Sequence, residues 1–252
     1  MPFFTVGDPN LETTKAIVKE AASRGADIIE LGVPFSDPIA DGPTIQASYY
    51  RALEKGFKLD QFFAAVKSLR DEGLRIPLVG MVSETLVFKR GLDGFLAEAK
   101  DAGLDGLIIP DLPAGYEGDT AERASAAGLD LVFLCAPTTT PERRVRIVER
   151  SSGFIYCIAV AGITGARDAL PEDLTENVKD LKARTQKPIC VGFGISKPDQ
   201  AEAVAKIADG VIVGSALVKR IAELSSQGLS QADLVRIVGD EVEVLSKAAH
   251  GA

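Results

Sequence analysis

The 252-residue chain is 46% hydrophobic and 25% charged, the balance of an ordinary globular protein rather than of a disordered or fibrous one. Its 28 basic and 36 acidic side chains leave a net charge of −8 with no long block of either sign, which argues against a basic stripe for nucleic acid. Wholly apolar runs fall far short of the ~20 residues that span a bilayer, and Met1-Pro2-Phe3-Phe4-Thr5 has neither the charged nor the apolar region of an export signal, so a soluble cytoplasmic protein is expected.

Along the chain, short apolar runs alternate with longer stretches of helical period. Phe3 to Val6 reads as the first strand, followed by the turn Gly7-Asp8-Pro9-Asn10 and a helix over Leu11 to Arg24, with Ile17, Val18, Ala21 and Ala22 on one side. Ile28 to Gly32 is the second strand, and Ile45 to Gly73 is long enough for two helices, so one crossover is elaborated. The remaining strands are expected at Pro77 to Val82, Gly106 to Ile109, Leu131 to Leu134, Phe154 to Ile158, Ile189 to Gly192 and Gly210 to Val213. A helix over Pro198 to Ile207 turns Ala203, Val204 and Ile207 inward, with Ser196 and Asp199 as its capping box. Most strands are apolar throughout, as befits strands covered on both faces of a parallel sheet. Eight such units without a Pro/Gly/Ser-rich linker predict an α/β fold, a single-domain (β/α)8 TIM barrel over residues 1–252. A doubly wound open sheet is the rival, but the first turn lacks its G-x-G-x-x-G.

Cys135, Cys157 and Cys190 form no C-x-x-C pair and are expected as small buried hydrophobes. The single histidine, His250, falls at the C-terminus, where disorder is expected. A clustered His/Cys metal site and a Ser-His-Asp triad are therefore excluded, leaving acid-base chemistry to carboxylates, Lys, Tyr or a thiol.

In a barrel the site gathers at the C-terminal ends of the strands. Glu30 lies there between aliphatic neighbours, where burial should raise its pKa and suit it to act as an acid near neutrality; pairing to a neighbouring Lys or amide is the alternative. The following loop, Ser36-Asp37-Pro38-Ile39-Ala40-Asp41-Gly42-Pro43, offers two acids stiffened by proline, although turn and cap duty would also suit Asp37 and Asp41. Three late Gly-rich turns, Gly162-Ile163-Thr164-Gly165, Gly192-Phe193-Gly194 and Gly214-Ser215, let backbone amides approach an anion, with a helix starting near Ser215 to aim its N–H groups at it. Together they predict a small phosphorylated substrate.

Glu30-Leu31-Gly32-Val33-Pro34-Phe35-Ser36-Asp37-Pro38 and Ala40-Asp41-Gly42-Pro43-Thr44-Ile45-Gln46 closely resemble the signature of the tryptophan synthase alpha subunit family. The likeness extends to Pro2 to Pro9, Pro110-Asp111-Leu112-Pro113, Ala136-Pro137-Thr138 and all three Gly-rich turns. It implies a lyase of tryptophan biosynthesis that cleaves indole-3-glycerol phosphate to indole and glyceraldehyde 3-phosphate without cofactor or metal. Indole would pass to a beta subunit carrying pyridoxal phosphate, in an alpha2-beta2 heterotetramer. A stand-alone indole-releasing lyase and a non-catalytic activator of a beta subunit are the alternatives.

Residue by residue, the resemblance makes Glu30 the acid-base group and Asp41 the carboxylate that accepts the indole N–H. Phosphate falls to the backbone around Gly165, Phe193, Gly194, Gly214 and Ser215. Phe3 and Tyr156 would flank the indole, Thr164 would orient Asp41, and Asp37 and Pro38 would touch the beta subunit. Three departures stand out: the leading helix before the first strand is apparently absent, which should leave the barrel bottom less covered; Ser83-Glu84-Thr85 replaces a usual Tyr and Asn; and Ala159-Val160 replaces a usual Ser and basic residue.

Overall fold

The computed structural model describes residues 1–159, 173–192 and 194–251. Its parallel strands are β1 (Phe3–Thr5), β2 (Ile29–Gly32), β3 (Leu78–Met81), β4 (Gly106–Ile108), β5 (Asp130–Val132), β6 (Leu134–Cys135), β7 (Ile155–Ile158), β8 (Ile189–Gly192) and β9 (Gly210–Val211). They form two ladders, β1 to β5 and β6 to β9, each in chain order.

The ladders close into one barrel at two seams. At the first, Phe3 donates to the Val213 carbonyl at 2.9 Å and Val213 to that of Met1 at 3.0 Å, so the chain's start pairs with its last strand position. At the second, Phe133 alone separates β5 from β6, and these two make up the single strand expected at Leu131 to Leu134. Phe133 N donates to the Ser151 hydroxyl at 3.2 Å, while the Phe133 carbonyl accepts from Tyr156 N at 3.2 Å.

Alternation along each strand divides the core in two. Inward residues, among them Phe3, Val79, Met81, Ile108, Val132 and Tyr156, fill the barrel. Outward residues such as Phe4, Leu31, Leu78 and Leu107 meet the surrounding helices. Between α3 (Leu59–Asp71) and α5 (Leu92–Ala102), the rings of Phe62, Phe63 and Phe95 stack edge to face, with centroids 5.4 and 5.3 Å apart. Each such pair adds about 0.5–1.5 kcal/mol beyond its buried area.

The elaborated crossover after β2 holds two helices as expected, α2 (Pro43–Glu54) and α3. Helix α2 is tied to β1 and to the loop after it: Thr5 Oγ1 and Ser48 Oγ lie 2.6 Å apart, and Arg51 grips the buried Asp8 carboxylate at 3.0 and 2.6 Å.

Three expectations need correction. Helix α9 runs Pro198–Ala205, and its start is closed by Gln200, whose Oε1 accepts from the N–H groups of Ser196 and Lys197 at 2.9 and 3.1 Å; the longer amide side chain reaches back where Asp199 does not. On the same helix Ala201 and Val204 face the core while Ala203 is exposed. His250 is ordered as the last residue of α11 (Gln231–His250), its Nε2 2.8 Å from Asp27 Oδ2. The three cysteines are free and buried, as expected.

A cavity of about 660 Å³ lies at the N-terminal ends of the strands, between Met1, Ile28, Val79, Phe154 and Cys190 and the end of α11. The polar residues singled out above lie at the opposite end.

Candidate active site

Glu30 faces the barrel interior from β2, in register with Phe3 on one side and Val79 on the other. It is 0% exposed, and neither carboxylate oxygen has a hydrogen-bond partner. Burial, and secondarily the charge of Asp41, push its pKa up to about 8, against a small opposing pull from the N-terminal ammonium. The alternative of a Glu neutralised by a neighbouring Lys or amide is therefore wrong: the group faces the site unpaired, and it is protonated at neutral pH.

Asp41 meets Glu30 along one narrow cavity, which Phe3, Tyr156, Gly194 and Gly214 also line. Its position comes from its loop: Asp41 N donates to the Pro38 carbonyl at 3.3 Å, and Gln46 Nε2, from α2, holds the Asp41 carbonyl at 2.7 Å. These bonds engage the backbone and leave the carboxyl turned toward the cavity. Burial first, and then the charge of Asp111, raise its pKa to about 7. Both acids are perturbed, so the contrast between an apolar Glu30 and a polar-loop Asp41 is one of degree.

The departure at Ser83-Glu84-Thr85 has a structural role. Ser83 caps α4 (Glu84–Arg90), accepting from Thr85 N at 3.3 Å, and its hydroxyl donates to Asp111 Oδ2 at 2.7 Å. Glu84 N donates to the other Asp111 oxygen at 2.8 Å. Asp111 thus clasps the loops after β3 and β4 together beside Asp41, a role that its place between Pro110 and Leu112 did not reveal.

At the far end of the cavity stand Gly194, Ile195, Gly214 and Ser215. Gly194 has φ +87°, a left-handed conformation that favours glycine. Gly214 caps α10 (Ser215–Ser226), whose first turn contains no acidic residue, so its free N–H groups are open to an anion. Of the other expected phosphate ligands, Gly165 and Phe193 lie outside the described residues, as does Thr164.

Phe3 and Tyr156 are both buried in the interior cluster and both line the cavity, so packing and binding surface coincide in them. Burial, then the charges of Glu30 and Asp41, hold the Tyr156 phenol well above its usual value, so it stays protonated. Asp37 is exposed on the loop tip, hydrogen-bonded by Ser36 Oγ at 2.6 Å, and the neighbouring Pro38 is half-buried. Beside them Ile39 is 85% exposed, as is Phe88 on α4, with Tyr116 after β4 at 76%. These apolar side chains, on three consecutive strand-end segments, were not singled out from the sequence.

Among the described residues no group of His, Cys, Asp and Glu could hold a metal ion. What the cavity offers is a protonated carboxylic acid, a second carboxylate to steady a nearby cation, flat aromatic walls and an anion cradle at a helix start.

The tryptophan synthase alpha chain family profile matches residues 1–247. A tryptophan synthase alpha chain of Rhodopirellula baltica is 46% identical over 244 residues, 96% of this chain and 88% of that one. Among solved structures, subunit alpha of Legionella pneumophila superposes with a TM-score of 0.90 at 33% identity, covering 100% of this chain and 92% of the other. A structure of the a2b2 tryptophan synthase complex of Pyrococcus furiosus gives 0.88 at 40% identity, with 97% and 96% covered.

Proposed function

The chain belongs to the tryptophan synthase alpha chain family, and on that premise we propose how its own residues divide the work of the family's reaction. That reaction is the lyase cleavage of indole-3-glycerol phosphate to indole and glyceraldehyde 3-phosphate. It needs no cofactor, and the alpha chain pairs with a beta subunit that carries pyridoxal phosphate.

Glu30 starts protonated and gives its proton to the indole ring carbon that bears the glycerol chain, leaving positive charge on the ring nitrogen. Asp41, ionised, accepts the indole N–H and steadies that charge. As the carbon–carbon bond breaks, its electron pair returns to the ring and restores aromatic indole. The adjacent hydroxyl loses its proton to Glu30 and becomes the aldehyde. Glu30 gives one proton and takes one, so each turnover ends where it began. Phe3 and Tyr156 flank the ring, Thr164 orients Asp41, and the phosphate is held by backbone around Gly165, Phe193, Gly194, Gly214 and Ser215.

The observation that carries this reading is the fully buried, unpartnered carboxyl of Glu30 on a cavity that it shares with Asp41. The test is turnover of indole-3-glycerol phosphate, with and without a beta subunit, by the parent, Glu30→Gln and Asp41→Asn. Both variants should lose most activity, and near-normal turnover in either removes that residue from the scheme.

The loop carrying Asp37, Pro38 and Ile39 is the beta-facing surface in this reading, continued by Phe88 and Tyr116. The absence of a linker supports one domain over 1–252. A cytoplasmic location accords with a biosynthetic role; among the described residues no helix is long and apolar enough to cross a membrane.

A further inference from the structure

Tyr49 lies on α2, three residues past Gln46 where the signature motif ends, and its side chain enters the site. It is 3% exposed and packs with Phe3, Met81 and Tyr156 in the barrel interior rather than with the helix-facing core. The space that its phenol occupies exists because β2 ends in glycine: a Cβ on Gly32 would lie 2.9 Å from the Tyr49 oxygen and 2.3 Å from the Phe3 ring. Gly32 is two residues beyond Glu30 and so on the same face of the strand. The bonds from Ser48 to Thr5 and from Arg51 to Asp8 fix α2 on either side of Tyr49.

Tyr49 also lines a small cavity with Asp41, Ser83 and Asp111. The two cavities that meet at Asp41 have no Lys, Arg or His among their described lining residues. Among the described residues, three carboxyl groups, Glu30, Asp41 and Asp111, therefore share these cavities with no basic side chain in the lining. Asp111 is answered by Ser83 and the Glu84 amide. To the small cavity that Asp41 also lines, α2 brings one hydroxyl, the Tyr49 phenol.

We propose that Tyr49 is a positioning residue for Asp41: its hydroxyl donates to the Asp41 carboxylate when substrate is bound, holding it ionised and aimed at the indole nitrogen. Burial first, then the charges of Asp41 and Glu30, keep the phenol well above its usual pKa, so it remains a donor throughout the working range. Among the described residues, the ionisable side chains that bear on Asp41 are Glu30 on β2, Asp111 after β4, Tyr49 on α2 and Tyr156 on β7. The proposal rests on the role assigned to Asp41 above.

The experiment is the pH profile of kcat/KM for indole-3-glycerol phosphate in the parent, Tyr49→Phe and Asp41→Asn, measured with the beta subunit present. Phenylalanine keeps the ring and its packing and removes only the hydroxyl. Expected is a fall in kcat of roughly ten- to a hundred-fold, the worth of one hydrogen bond to a charged group, with KM little changed and the acidic limb moved to higher pH, because a carboxylate that loses a donor holds its proton more tightly. Replacing Tyr49 with 3-fluorotyrosine, whose more acidic hydroxyl is the stronger donor, should move that limb below the parent's, and this variant decides the matter if Tyr49→Phe folds poorly, an unmoved limb counting against the proposal. An unmoved limb in Tyr49→Phe while Asp41→Asn is inactive overturns the proposal alone. Full activity in Asp41→Asn overturns the role of Asp41, and this proposal with it.

Discussion

A carboxyl group left without a hydrogen-bond partner inside an apolar barrel destabilises the fold whenever it is ionised, and Glu30 carries that cost. Its pKa rises from an ordinary 4.5 to about 8, so folding takes up a proton across that window. Stability therefore falls as pH climbs from the lower value to the upper, and the loss is complete above it. Glu30→Gln should melt at a higher temperature than the parent at about pH 9 and nearly with it at about pH 4. Parallel melting curves across that range, followed by circular dichroism, would contradict a buried titrating acid. The same variant should lose roughly 10²- to 10⁴-fold in kcat, the usual contribution of general acid-base help. With Asp41 ionised above about 7 and Glu30 protonated below about 8, the parent's kcat/KM should trace a narrow bell whose two limbs belong to the coupled pair. A flat profile over that interval would mean that neither group titrates in the rate-determining step.

Helix α2 shows how residues beyond the signature motif, which ends at Gln46 in its first turn, set the geometry of the site. Its Arg51 neutralises Asp8, which is buried, while Arg51 itself is half-exposed. Arg51→Ala should cost roughly 2 kcal/mol in urea denaturation, below the 3–5 kcal/mol of a wholly buried pair because solvent screens one partner. An unchanged midpoint would show that Asp8 finds water instead. At the start of α10 a Cβ on Gly214 would come no nearer to other protein atoms than 3.5 Å, whereas a side chain at Gly194 would strain a left-handed backbone. Gly214→Val is thus the cleaner probe: calorimetry should show weaker glycerol phosphate binding with an unaltered melting temperature, and unchanged affinity would place the anion elsewhere. The strands and Glu30 were legible in the sequence because strand apolarity and a lone acid within it are local signals. Tyr49 was not, since a tyrosine spaced with Ile45 and Ala52 reads as core until the barrel shows which core it enters. The clasp at Asp111 and the cap at Gln200 were hidden for a related reason: their partners are set by loop geometry, and the motif spacing says nothing of it.

For the whole molecule, the end of the barrel with the site also presents Ile39, Phe88 and Tyr116 to solvent. Exposed apolar groups gathered around one mouth suit a partner that covers it. Phe88→Ser, on the outer helix α4 and off the cavity, should leave the isolated chain's turnover unchanged and raise the beta-subunit concentration needed for half-maximal activation. Equal titration curves would exclude α4 from the contact. The two seams of the barrel carry a different consequence. Where the ladders are continuous, each strand is held by partners on both sides, but at Phe133 and at the pairing of Pro2 with Val213 the register rests on a few bonds and one serine hydroxyl. Local opening follows the weakest contacts. In deuterated buffer the amides of Phe133 and Val213 should therefore exchange ahead of those of Leu31 and Val191 at the ladder centres, so that the molecule opens as two half-rings rather than unravelling strand by strand.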